Sequence, residues 1–119
     1  MLRRSNEQKT TYEPHLKNGL GVVELRHLLS PEEMLNVGRL CAISILPPGT
    51  SIGRHTHEGD FELYYFLKGQ GRLTLNGQVS QVAAGDATCC YPGDSHSLEN
   101  TAAENLEYVA IILYAPDRR

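Results

Sequence analysis

Residues 61–90, FELYYFLKGQGRLTLNGQVSQVAAGDATCC, decide the fold class of this 119-residue chain. Aromatic and apolar residues fill 61–67, Gly69 and Gly71 interrupt them, and RLTL (72–75) resumes the same character. That pattern is strand, turn and strand. Asn76 and Gly77 then separate two short runs. A two-residue hairpin turn needs positive φ at both central positions, which Asn and Gly accept most readily. Gly85 and Pro92 bracket a further strand-like stretch.

Working outward, RLCAISIL (39–46) runs apolar until Pro47, Pro48 and Gly49 stop it. GVVELRHLL (21–29), SLEN (97–100) and LEYVAIILYA (106–115) have strand content too. About eight or nine strands with turns at short intervals must close into a small barrel or sandwich, so an all-β fold is expected. Ser30, Pro31 and Glu33 form a capping-box signature, which predicts one short helical turn near residues 31–35. Residues 1–16 lack apolar periodicity and read as an N-terminal arm, mobile or exchanged with a partner subunit, ahead of a single barrel domain over 17–117.

Composition excludes several function classes. A net charge of -3 gives no electrostatic reason to bind nucleic acid. The longest apolar run, YVAIILYA (108–115), is far shorter than the roughly 20 residues a membrane helix needs. No apolar stretch follows Arg3 and Arg4 as a secretory signal would require, and Cys41, Cys89 and Cys90 make an odd count. A cytoplasmic protein with free thiols and no membrane partner is therefore expected.

The chemistry concentrates in GRHTHEGDFELYY (53–65). His55 and His57, two apart in an extended segment, present both imidazoles on one face, where neutral imidazole is a common transition-metal ligand. Glu62 shares its strand face with Tyr64 and Phe66, where burying an unpartnered carboxylate would be costly and a metal ion or a protonated state would relieve the cost; taken alone it also fits an exposed strand glutamate. His96, beyond the stop YPGDSH, is a fourth candidate; taken alone it reads as a hydrogen-bonded core histidine. His15 and His27 have no such companions. Glu58 and Asp60 read as solvated rim residues. Cys89 and Cys90 point to opposite faces of one strand, so at most one reaches a pocket, and both read as packed thiols. Thr88, Cys90 and Leu98 are expected companions of Tyr64 and Phe66 along the pocket wall.

These residues carry a resemblance to the cupin family. Residues 49–69 resemble its first motif: glycine, five residues, His55, one, His57, four, Glu62, six, glycine. Residues 85–100 resemble the second, with Gly85, Asp86, Gly93, His96 and Asn100 in place, although Tyr91 stands where the family usually has proline. The fifteen residues between the motifs match the short spacing of small microbial members. The resemblance implies a jelly-roll cupin barrel, a double-stranded β-helix of two antiparallel sheets, with His55, His57, Glu62 and His96 around one divalent metal, Zn, Fe, Mn or Ni. Three nitrogens and one oxygen leave positions open for a ligand, the arrangement of a catalytic rather than a structural site.

The expected function is a metal-dependent enzyme of isomerase, lyase or dioxygenase type acting on a small oxygen-rich molecule. The alternatives are a non-catalytic binding or sensing protein, and a structural barrel with an incidental metal. Tyr64 is a candidate catalytic residue, since some lyase cupins similarly place a tyrosine two residues after the metal-binding glutamate. Leu63, Tyr65 and Leu67 form an outward apolar face that a homodimer would cover.

Overall fold

The computed structural model describes residues 1–116; the expected domain end at residue 117 lies outside them. Ten strands form among the described residues: β1 (Lys9–Pro14), β2 (Val22–His27), β3 (Gly38–Leu46), β4 (Ser51–Thr56), β5 (Asp60–Lys68), β6 (Gln70–Leu75), β7 (Gln78–Ala83), β8 (Ala87–Cys90), β9 (Ser95–Glu99) and β10 (Leu106–Tyr114). All pair antiparallel, in a six-stranded sheet ordered β1-β2-β3-β10-β5-β8 and a four-stranded sheet ordered β4-β9-β6-β7. This is the expected double-stranded β-helix. The strands beyond the stretches expected by pattern are β1 and β4, whose sequences lack a continuous apolar run, while the stretch 78–90 turns at Gly85 and serves both sheets, β7 in one and β8 in the other.

The sheets meet face to face because each core strand alternates. In β5 the inward residues Glu62, Tyr64 and Phe66 are buried while Leu63, Tyr65 and Leu67 are exposed. Val23, Leu46, Phe66, Leu98, Leu106 and Tyr108 are almost fully buried and come from both sheets. Each such apolar side chain contributes about 1.5–3 kcal/mol of burial. Asn76 (φ 49) and Gly77 (φ 81) form the β6–β7 turn in the expected left-handed conformation.

At the expected helical turn, Glu33 N–H donates to Ser30 Oγ and Ser30 N–H to Glu33 Oε1, closing the capping box. A single turn forms, with Met34 N–H bonding Ser30 O, and no helix follows. Leu35 and Asn36 both adopt φ 57, which turns the chain into β3. In the N-terminal segment, β1 pairs with β2 of its own chain along Lys9–Pro14. No helix among the described residues is long and apolar enough to cross a membrane.

Two features position the site. The short 3-10 turn Leu16–Asn18 lies so close against β4 that a Cβ on Gly53 would fall on the Lys17 carbonyl oxygen. The register of β4 shifts between Ile52 and His55. Such a bulge re-aims the side chains beyond it.

Candidate metal centre

His55, His57, Glu62 and His96 come from four places in the chain and meet at one end of the barrel. His55 is the cross-strand partner of His96 on β4 and β9. Glu62 lies near the start of β5. His57 follows β4, and its backbone is gripped from both sides by the turn before β9: Gly93 N–H donates to His57 O at 2.7 Å, and His57 N–H to Asp94 O at 3.1 Å. That turn is closed by Asp94 N–H to Tyr91 O and by Tyr91 N–H to the Asp94 carboxylate. Tyr91 itself is exposed and stacks on Phe61, so the position usually held by proline forms the turn without entering the site.

The ligating atoms converge. His57 Nε2 lies 3.2 Å from both Glu62 Oε1 and His96 Nε2. His96 Nε2 lies 3.0 Å from His55 Nε2 and 3.2 Å from Glu62 Oε1. All four atoms fall within 4.8 Å of one another, and no other residue of the described chain joins the cluster. Neighbouring ligands on one ion with bonds of about 2.1 Å sit roughly 3 Å apart, so this donor set fits a single transition-metal ion.

The ring orientations favour the same reading. His57 Nδ1–H donates to Asp60 Oδ1 at 2.7 Å, and His55 Nδ1–H to the Gly53 carbonyl at 2.8 Å. In the neutral rings, a proton on Nδ1 leaves the Nε2 lone pairs of His55 and His57 facing His96 Nε2, a crowding that a shared cation would relieve. Asp60 is in turn held by Arg39, whose Nε donates to Oδ2 at 2.9 Å.

Electrostatics follow from this packing. Burial pushes the Glu62 carboxyl up, but hydrogen bonds and charge from His57 and His96 outweigh it and hold it at about 2. The hydrogen bond to Glu62 raises His57 against the opposing effect of burial. Burial lowers His55. Glu62 is thus an anion and His55 a neutral base at pH 7, the forms a metal requires.

Tyr64 stacks on His96, with ring centroids 5.1 Å apart, and burial raises its phenol well above the usual tyrosine value. It borders a cavity of about 240 Å³ together with His55, His57, Glu62, Ser44 and Tyr108. The Tyr108 hydroxyl is buried beside Ser44 and Tyr64.

Other expected site residues lie elsewhere. Phe66 and Leu98 belong to the core, Thr88 is half-buried, and none of the three lines the cavity. Cys90 faces inward beside Glu62, but its thiol donates to Asp94 O and burial pushes it up to about 12. Cys89 is half-buried and outside the cluster. His27 bonds Thr11 and His15 approaches Gly19 O, both away from the cluster.

Glu58 is exposed, as a rim residue should be, whereas Asp60 is buried and orients His57. Its i+3 spacing from His57 across Gly59, at φ 74, is the signal that could have shown this. Arg39 and the walls from β2, β3 and β10 have no local sequence signature.

Comparisons with known proteins agree with this architecture. Residues 42–112 match the family described as the cupin domain. An oxalate-binding protein of Thermotoga maritima is 45% identical over 113 residues, covering 95% of this chain and 93% of that protein. A crystal structure of a predicted oxalate decarboxylase from Thermotoga maritima superposes with a TM-score of 0.93 at 44% identity, covering 97% of this chain and 100% of that one. KdgF from Halomonas superposes with a TM-score of 0.76 at 13% identity, over 98% of this chain and 96% of that one, a likeness of fold alone.

Proposed function

The chain belongs to the cupin domain family, and on that premise we propose that it binds a small oxygen-rich anion of the oxalate kind on one divalent metal ion held by His55, His57, Glu62 and His96. The observation that carries this reading is the convergence of three Nε2 atoms and Glu62 Oε1 at 3.0–3.2 Å. Zinc, iron, manganese and nickel all accept such a donor set. The ion would supply Lewis acidity and two positions for neighbouring oxygens of the ligand.

The chain's own residues do the rest. Asp60 and Gly53 keep the Nδ1 protons away from the ion. Tyr64, its phenol raised by burial, stays protonated and borders the cavity with a single O–H donor to offer a ligand. Oxalate enters from the description of the Thermotoga protein as oxalate-binding. Calorimetry of metal-loaded protein with oxalate tests the proposal: saturable binding lost on chelation supports it, and heat unchanged by chelation refutes it.

A second reading is turnover, as an isomerase, lyase or dioxygenase. It is favoured by Tyr64, a protonated phenol stacked on His96 that could serve as catalytic acid. Product formation on prolonged incubation separates turnover from binding, and oxygen uptake separates dioxygenase from proton-transfer chemistry.

We also propose a homodimer across the outer face of β5, where Leu63, Tyr65 and Leu67 are exposed. A monomer mass in light scattering at micromolar concentration would overturn it.

A further inference from the structure

The cavity is larger and more apolar than oxalate needs. Its volume of about 240 Å³ lies just below the roughly 300–1,000 Å³ of ordinary small-molecule pockets and exceeds what the six heavy atoms of oxalate fill. Apart from the hydroxyl-bearing Ser44, Tyr64 and Tyr108, the uncharged wall beyond the metal-site residues is made by Leu16, Leu25, Leu40, Ile52, Ala110 and Ile112. Oxalate is two joined carboxylates with no hydrocarbon surface to lay against them. A ligand that left this wall wet would forgo the main source of affinity such a pocket offers.

Charge points the same way. The charged residues lining the cavity are Glu13, Lys17, Arg39 and Glu62. Glu13 and Lys17 offset each other, and Arg39 is neutralised by Asp60 at 2.9 Å. Glu62 then leaves one positive charge of a divalent ion unmatched. A monoanion balances the site, whereas a dianion such as oxalate overshoots it and brings a second carboxylate toward leucine and isoleucine side chains.

We infer that the ligand class is a monocarboxylate with a second oxygen on the adjacent carbon, a 2-oxo or 2-hydroxy acid, whose apolar chain lies on the wall of Leu16, Leu25, Leu40, Ile52, Ala110 and Ile112. The volume left beside the head group takes a short aliphatic chain. This inference rests on the metal-held, two-oxygen anion reading above and sharpens its ligand.

The test is calorimetry of the zinc-loaded 119-residue chain with oxalate, pyruvate, 2-oxobutanoate, 2-oxopentanoate and 4-methyl-2-oxopentanoate. Affinity should rise about fourfold with each added methylene until the wall is covered. Leu40→Ser, with metal content measured alongside, should flatten that rise. A flat or falling series in the unmodified protein, with oxalate still bound, overturns the inference and leaves the metal-held anion site standing. A slope unchanged in Leu40→Ser also overturns it. Failure of every probe, oxalate included, overturns both.

Discussion

Asp60→Asn removes one charge and changes no volume, and it acts on metal affinity through a single hydrogen bond. Asp60 Oδ1 accepts from His57 Nδ1–H at 2.7 Å while Oδ2 accepts from Arg39 Nε at 2.9 Å. An asparagine cannot accept at both ends. If its oxygen stays on His57, its NH₂ meets the Arg39 N–H, two donors face to face. If it flips to satisfy Arg39, its NH₂ donates to His57 Nδ1 and drives the ring proton onto Nε2, the atom that must ligate. Either outcome weakens the ion's hold on His57. Partners of this kind are worth about ten- to hundredfold in metal affinity, or ~1.4–2.8 kcal/mol. Competition with a chromogenic zinc chelator measures the dissociation constant, and far-ultraviolet circular dichroism checks that the barrel is intact. A dissociation constant within about twofold of the unmodified protein, with the fold preserved, would refute the assignment of Asp60 as the residue that fixes His57.

Gly53→Ala should cost about 1–3 kcal/mol in urea unfolding, because its Cβ falls on the Lys17 carbonyl and the turn Leu16–Asn18 must move; an unchanged midpoint would show that this contact yields freely. Tyr64→Phe should retain metal while weakening oxygen-ligand binding up to about tenfold through one lost hydrogen bond; equal affinity would leave Tyr64 as wall only. In metal-free protein, the raised His57 stabilises fully below its ordinary value of 6.5, and that contribution is lost as pH climbs through its folded value. Glu62 stabilises above 4.5, and its contribution is lost as pH falls toward about 2. The lowered His55 opposes His57 over the same range, so the acid limb carries the test: chelated protein should lose thermal stability as pH falls from about 4.5 toward 2, and an unchanged melting temperature there would contradict the Glu62 shift.

Much of this was legible in the chain. Alternation in 61–68 and the Asn76–Gly77 turn depend on neighbours in sequence, so local chemistry determines them. The four clustered residues His55, His57, Glu62 and His96 stand out through motif spacing that only the resemblance makes specific: His96 alone is indistinguishable from a core histidine. What stayed hidden depends on tertiary geometry. Asp60 is buried only because the chain turns at Gly59 and brings it back onto His57. The strand pattern places Phe66, Thr88, Cys90 and Leu98 on the cavity wall beside Tyr64, yet of these only Tyr64 borders it, since facing inward on a strand does not say which inward residues border space and which meet the opposite sheet. The Gly53 contact needs β4 and the Leu16–Asn18 turn to be adjacent, which no local pattern encodes.

Metal content of the protein as purified, measured by plasma mass spectrometry beside His57→Ala, tests the four-residue site most directly. One divalent transition-metal ion per chain is expected in the unmodified protein and a small fraction of that in the variant, with both folded by circular dichroism. Equal metal content in the two would contradict the site, as would an unmodified protein that takes up no transition metal even when it is supplied in excess.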